Sequence, residues 1–139
     1  MVRFAGCGDV WGQSNVKRRR AAYYGCISFI DHNVGRILAA LEEEGILDET
    51  LILYTSDHGE MLGDYNSYGK RSFLDPSARV PLLARFPERF TPGRQCDAPV
   101  SLVDVLPTCL GAAGLSATDD HDGVDLADVG RGSTDRGAI

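Results

Sequence analysis

No stretch of the 139-residue sequence approaches the roughly 18–20 consecutive apolar residues that a membrane span requires, so no membrane partner is expected. Its first residues, MVRFAGCGDVWGQSN, lack the apolar core of a signal peptide, and localisation stays open. Positive charge is scarce: 14 basic residues face 20 acidic ones, the formal net charge is −6, and the one basic block is Lys17 to Arg20. Phosphate backbones demand a larger positive surface, which argues against nucleic acid. The four cysteines, Cys7, Cys26, Cys96 and Cys109, form no C-x-x-C pair, so a zinc knuckle is not expected, and their spacing does not decide disulfides. No internal repeat is visible. Hydrophobic residues make up 43%, an ordinary share for a chain with a real core.

Against that plain background one stretch stands out, LILYTSDHGEMLGDYNSYGK from Leu51 to Lys70. Leu51 to Thr55 is a run of strand formers that suits a strand buried on both faces, as in a parallel sheet. Ligands of open α/β sheets gather beyond the carboxyl ends of such strands, where Asp57 and His58 fall. Adjacent strand residues point to opposite faces, but Gly59 lets the chain leave the strand, so both side chains can converge on one ion. By themselves an Asp-His pair and a Gly-Lys pair are also what a capped turn and an exposed loop contain.

Around this stretch the chain divides into an irregular segment over 1–16, a central region over 17–116 and an acidic, Gly-rich loop or tail over 117–139. A helix is expected from about Lys17 to Glu44, because Tyr23, Ile27, Ile30, Val34, Ile37, Leu38 and Leu41 recur at spacings of three and four. Gly45 is placed to end it, and the glutamates of its last turn oppose the helix dipole slightly. Val80 to Phe86 reads as a second strand with Pro81 at its start. Ser101 to Gly114 reads as a second helix, with Asp104 capping or charging its first turn and Pro107 near its beginning. Two helices and two strands leave a parallel sheet with both edges exposed, and the buried pattern of Leu51 to Thr55 needs neighbours these residues do not supply. The chain therefore reads as a fragment of a larger α/β domain, with a mostly parallel central sheet flanked by helices.

From Tyr23 to Leu126 the sequence resembles the later part of the sulfatase catalytic domain, within the alkaline-phosphatase-like superfamily. The matching pieces, in order, are YYGCISFIDHNVGRIL at 23–38, TSDHGEMLGDY at 55–65, GK at 69–70, RVPLL at 79–83, APVSLVDVLPT at 98–108 and DGVDL at 122–126. The resemblance implies a divalent metal, commonly calcium, held by Asp57 and His58 together with acidic residues near the amino terminus of the family's domain. His58 stands where many relatives have Asn. Since imidazole suits manganese or zinc better than calcium, those metals also stay open. Lys70 is implied to set its ammonium against a sulfate oxygen, as a point charge that meets the charge developing on the leaving oxygen.

Other polar residues of this region carry weaker expectations. Glu60 and Asp64 read as loop hydrogen-bonders, Asp31 and His32 as surface positions, and Asp119, Asp120 and Asp122 as a solvated acidic loop. Tyr65 stands where relatives often carry His. Sulfatases attack sulfur with a formylglycine made from the Cys or Ser of C/S-x-P-x-R, and no cysteine or serine of these 139 residues stands in that context. The polypeptide alone is therefore expected to lack turnover, although the resemblance implies a sulfuric ester hydrolase acting on a sulfated small molecule or glycan. Completion of the sheet by the amino-terminal half of the catalytic domain is expected, with self-association as the alternative. A phosphonate or phosphodiester hydrolase and a non-catalytic interaction module are the other readings.

Overall fold

The computed structural model describes residues 13–116 and 121–132. Cys7, Asp119 and Asp120 lie outside the described residues. Two units divide the chain, one of Met1–Gly45 with Thr55–Pro81, the other of Ile46–Tyr54 with Leu82–Ile139.

In the first unit the chain opens with a 31-residue helix, α1 (Gln13–Glu43). It begins four residues before the expected Lys17, so 13–16 belong to the helix and not to an irregular segment. Val16 in that added turn lies close to the loop, where a Cβ on Gly63 would come within 3.1 Å of its Cγ1, a tertiary approach that apolar spacing does not announce. At the other end Gly45 takes φ +71, the left-handed geometry that closes a helix. The predicted stripe exists but is uncovered in this chain, with Tyr23 39%, Ile27 43%, Ile30 46% and Ile37 61% exposed. Asp31 and His32 are exposed, as expected. After Thr55 the unit continues through a loop with one 3-10 turn (Asp64–Asn66) and a short helix, α2 (Asp75–Ala78).

The second unit contains strands β1 (Ile52–Thr55, whose last residue falls in the first unit) and β2 (Leu82–Arg85). Among the described residues these two pair as the one sheet. Leu51 to Thr55 is not buried on both faces here, in keeping with the expectation that these residues do not supply the neighbours its pattern needs. Its residues are half-buried and Tyr54 is 36% exposed, because β1 has a single neighbour. Arg85 of β2 donates to Leu47 O at 2.6 Å and to Asp48 Oδ1 at 2.5 Å, which fixes the 3-10 turn Leu47–Glu49 ahead of β1.

Ser101 to Gly114 folds as a 3-10 turn (Leu102–Asp104) that runs into α3 (Val105–Ala112). Ser101 and Asp104 form a reciprocal capping box, in which the Ser101 N–H donates to Asp104 Oδ2 at 2.7 Å. Pro107 lies in the first turn of α3, where its missing N–H would have no helical partner anyway. The chain after residue 120 departs from the loop reading. Leu126–Arg131 is a helix, α4, that buries Leu126, Ala127 and Val129. Its approach is set by polar side chains: Asp104 Oδ1 accepts from Val124 N at 2.9 Å, and Thr108 Oγ1 accepts from Leu126 N at 2.9 Å. Such bonds leave no periodic trace, so a short docked helix resembles a tail in the sequence.

Candidate functional site

Asp57, His58 and Lys70 all belong to the first unit, in the segment that follows β1. Three backbone features bring them together. The Gly59 N–H donates to Ser77 O at 2.8 Å, and a Cβ on Gly59 would lie 2.0 Å from Pro76 O. Glycine is required there by close approach of two backbones, a reason beyond the expected freedom to leave a strand. Next, the Glu60 carboxylate accepts from Gly69 N at 2.5 Å and from Leu62 N at 3.3 Å, closing the 60–69 loop on itself. Last, Ser77 Oγ donates to Lys70 O at 2.5 Å, so Lys70 is held on the side of the loop where Gly59 also meets Ser77. Met61, 1% exposed, is the apolar centre of this loop.

The loop is strained and clamped. Leu62, Tyr65 and Asn66 adopt φ of +48, +52 and +55, a region unfavourable to residues with a side chain. Arg20 of α1 donates to Leu62 O at 2.9 Å and to Asp64 Oδ1 at 2.6 Å, and the Arg19 guanidinium stacks 4.6 Å from the Tyr68 ring centroid. Arg19 and Arg20 of the basic block are thus a clamp on the loop. Contact across 44 residues gives no signal in the sequence. Glu60 and Asp64 are loop hydrogen-bonders, as expected, and Tyr65 projects outward at 72% exposure.

At the head of the loop the polar atoms converge. His58 Nδ1 lies 2.8 Å from Gly59 O, and a carbonyl only accepts, so Nδ1–H donates there, and in the neutral ring Nε2 presents its lone pair. That lone pair faces Lys70 Nζ in a close contact, with Asp57 Oδ2 3.2 Å from the same nitrogen. The other carboxylate oxygen, Asp57 Oδ1, accepts from His58 N at 3.0 Å. Neither Lys70 nor any arginine pairs with Asp57 among the described residues.

The pair can be tested for its fit to a metal. Two ligands about 2.1 Å from one ion and at right angles stand about 3 Å apart, close to the Oδ2–Nε2 separation. A ring whose other nitrogen donates to a backbone carbonyl is also the usual support of a ligating histidine. The pair therefore fits one edge of a coordination sphere. It is not a full set: no group of three or more His, Cys, Asp and Glu suited to a metal occurs among the described residues. None of the three residues lines the cavity of about 390 Å³ in the second unit, whose walls include Leu82, Phe90, Val100, Leu126 and Val129.

The family model described as Sulfatase matches residues 5–115. An arylsulfatase of Clostridium perfringens is 42% identical over 117 residues, which cover 82% of this chain and 24% of that protein. A choline-sulfatase of Rhizobium meliloti is 41% identical over 123 residues, 86% of this chain and 24% of its own length. Among solved structures, a phosphonate monoester hydrolase of Agrobacterium radiobacter superposes with a TM-score of 0.84 at 38% identity, over 96% of this chain and 27% of that one. The chain thus spans about a quarter of the length of these relatives, and its α/β fold is that of part of an alkaline-phosphatase-like domain.

Proposed function

The chain belongs to the sulfatase family, and from that premise we propose that it is the carboxyl-terminal part of a catalytic domain that hydrolyses sulfate esters. The observation that carries this reading is the approach of both Asp57 Oδ2 and Lys70 Nζ to one nitrogen, His58 Nε2. Asp57 and His58 would hold a divalent metal, calcium or, given the imidazole, manganese or zinc. When bound, such an ion acts as a Lewis acid that polarises a sulfate oxygen and stabilises negative charge. The work of the chain's own residues is orientation. The Gly59 carbonyl fixes the His58 ring, the Ser77 hydroxyl and Glu60 fix the backbone on either side of Lys70, and the Lys70 ammonium donates to an anionic oxygen.

None of the four cysteines stands in C/S-x-P-x-R, so these 139 residues do not fit a formylglycine, and no nucleophilic step is assigned to them. The intact enzyme would carry that group outside this chain, and the 139-residue polypeptide by itself would not turn over. A graft tests the reading: residues 13–132 replace the matching segment of the Clostridium perfringens arylsulfatase, and aryl sulfate hydrolysis is measured. Retained activity that is lost on Asp57→Ala and on Lys70→Ala supports it. Retained activity indifferent to both substitutions refutes it.

A second reading, phosphonate monoester hydrolysis, is favoured by the 0.84 TM-score to an enzyme of that name. The same graft assayed with phenyl phosphonate monoesters beside aryl sulfates decides between the two by the ratio of kcat/KM values.

A further inference from the structure

In its neutral form His58 has one free ring lone pair, and the group that lies against it is the Lys70 ammonium. With Nδ1 committed to the Gly59 carbonyl at 2.8 Å, Nε2 is the only ring nitrogen that can accept a hydrogen bond or bind a cation. Lys70 Nζ lies against that nitrogen. The contact is held from the backbone: Ser77 Oγ donates to Lys70 O at 2.5 Å, and Gly69 N is tied to Glu60 Oε1 at 2.5 Å. Lys70 forms no ion pair with Asp57, so its hold on the pair of donors runs through the imidazole.

We infer that the Lys70 ammonium and a divalent cation are alternative occupants of the His58 Nε2 lone pair. The inference rests on the metal reading proposed above and adds a regulation of that site. A cation entering between Asp57 Oδ2 and His58 Nε2 displaces the ammonium, because one lone pair serves one partner and two cations repel at that range. Lys70 carries a flexible four-carbon stem, so it leaves by rotamer change and not by rebuilding the loop. Metal loading then frees the lysine to meet an anionic oxygen. By linkage, whatever draws the lysine off His58 tightens the metal, and the metal makes the lysine available.

The test is a cycle of four proteins: the 139-residue chain, Lys70→Met, His58→Ala and the double variant. The probe is Mn2+ in sulfate-free buffer, read by loss of its free electron paramagnetic resonance signal. Manganese is chosen because the exposed thiols of Cys26, Cys96 and Cys109 would take up zinc. Removing any nearby positive charge strengthens cation binding somewhat, so a tighter Lys70→Met variant alone proves little. The competition predicts that Lys70→Met tightens Mn2+ by about tenfold with His58 present, and that most of this gain vanishes in the His58→Ala background. Equal gains in both backgrounds, or none while Mn2+ still binds through Asp57 and His58, overturn the competition and leave the metal reading standing.

A second measurement needs no metal. In 15N spectra of the side chain, the His58 Nε2 resonance moves on Lys70→Met if the ammonium is its partner. An unmoved resonance overturns the inference. Absence of Mn2+ binding by all four proteins, with the resonance moving, refutes metal binding by the Asp57–His58 pair in this chain and with it the competition.

Discussion

The Glu60 carboxylate accepts the Gly69 N–H at 2.5 Å, so an acidic side chain two residues after His58 fixes the backbone immediately before Lys70. The two ends of the 60–69 loop are thereby joined, and Lys70 returns to the histidine it follows by twelve positions. Substituting Glu60→Ala removes two charge-assisted bonds from half-buried N–H groups and is expected to destabilise the first unit by about 1.5–3 kcal/mol. Amide exchange checks this directly: Gly69 and Leu62 should lose protection first, and Glu60→Gln should restore much of it.

Gly59→Ala tests the close approach of two backbones. Its Cβ would stand 2.0 Å from Pro76 O, and a backbone carbonyl held against the chain has little room to yield. A loss of about 1–3 kcal/mol is expected, as for other overpacked sites, read from the urea midpoint. Gly25, whose added Cβ would meet nothing within 4 Å, supplies the control, and Gly25→Ala should not lower the midpoint.

In the second unit Asp104 is the residue to remove. It is 0% exposed, closes the capping box with Ser101 and accepts from Val124 N. Asp104→Ala leaves both N–H groups without this partner and is expected to cost about 2–4 kcal/mol. Loss of exchange protection at Val124 together with Leu126 would show that α4 detaches. Protection retained at both would show that the apolar face of Leu126, Ala127 and Val129 holds the helix without Asp104.

For catalysis, the arylsulfatase graft gives the quantitative expectation. If Lys70 is the anion donor proposed above, Lys70→Ala should lower kcat/KM by about 10²–10³, while Lys70→Arg keeps the charge and loses less. A Lys70→Ala graft with unchanged kcat/KM would remove Lys70 from the anion site.

The uncovered face of α1 carries a prediction of its own. Ile37 at 61% exposure, with Ile30 at 46%, Ile27 at 43% and Tyr23 at 39%, leaves the apolar face of α1 open to another apolar surface. Concentration-dependent self-association at micromolar levels is expected by sedimentation, weakened by Ile37→Glu. A monomer at all concentrations would contradict it.

Much of this was legible in the residues alone. Local chemistry determined the long helix, because Tyr23, Ile27, Ile30 and Val34 mark one face whatever they pack against. It determined β1 and β2 as short apolar runs, Pro107 in the first turn of its helix, and Asp57 and His58 as candidates at a strand end, since spacing and residue type carry those facts. Lys70 became a candidate only through the family resemblance. Other outcomes depend on partners far along the chain. Only the tertiary structure could show that Lys17 to Arg20 includes a clamp, because Arg20 acts through Leu62 and Asp64. Only it could turn the end of an acidic tail into α4, because Asp104 and Thr108 capture Val124 and Leu126 by single hydrogen bonds. And only it decided which atom of His58 faces Lys70, because a carbonyl one residue away claims the other nitrogen, a choice of ring orientation that no sequence pattern encodes.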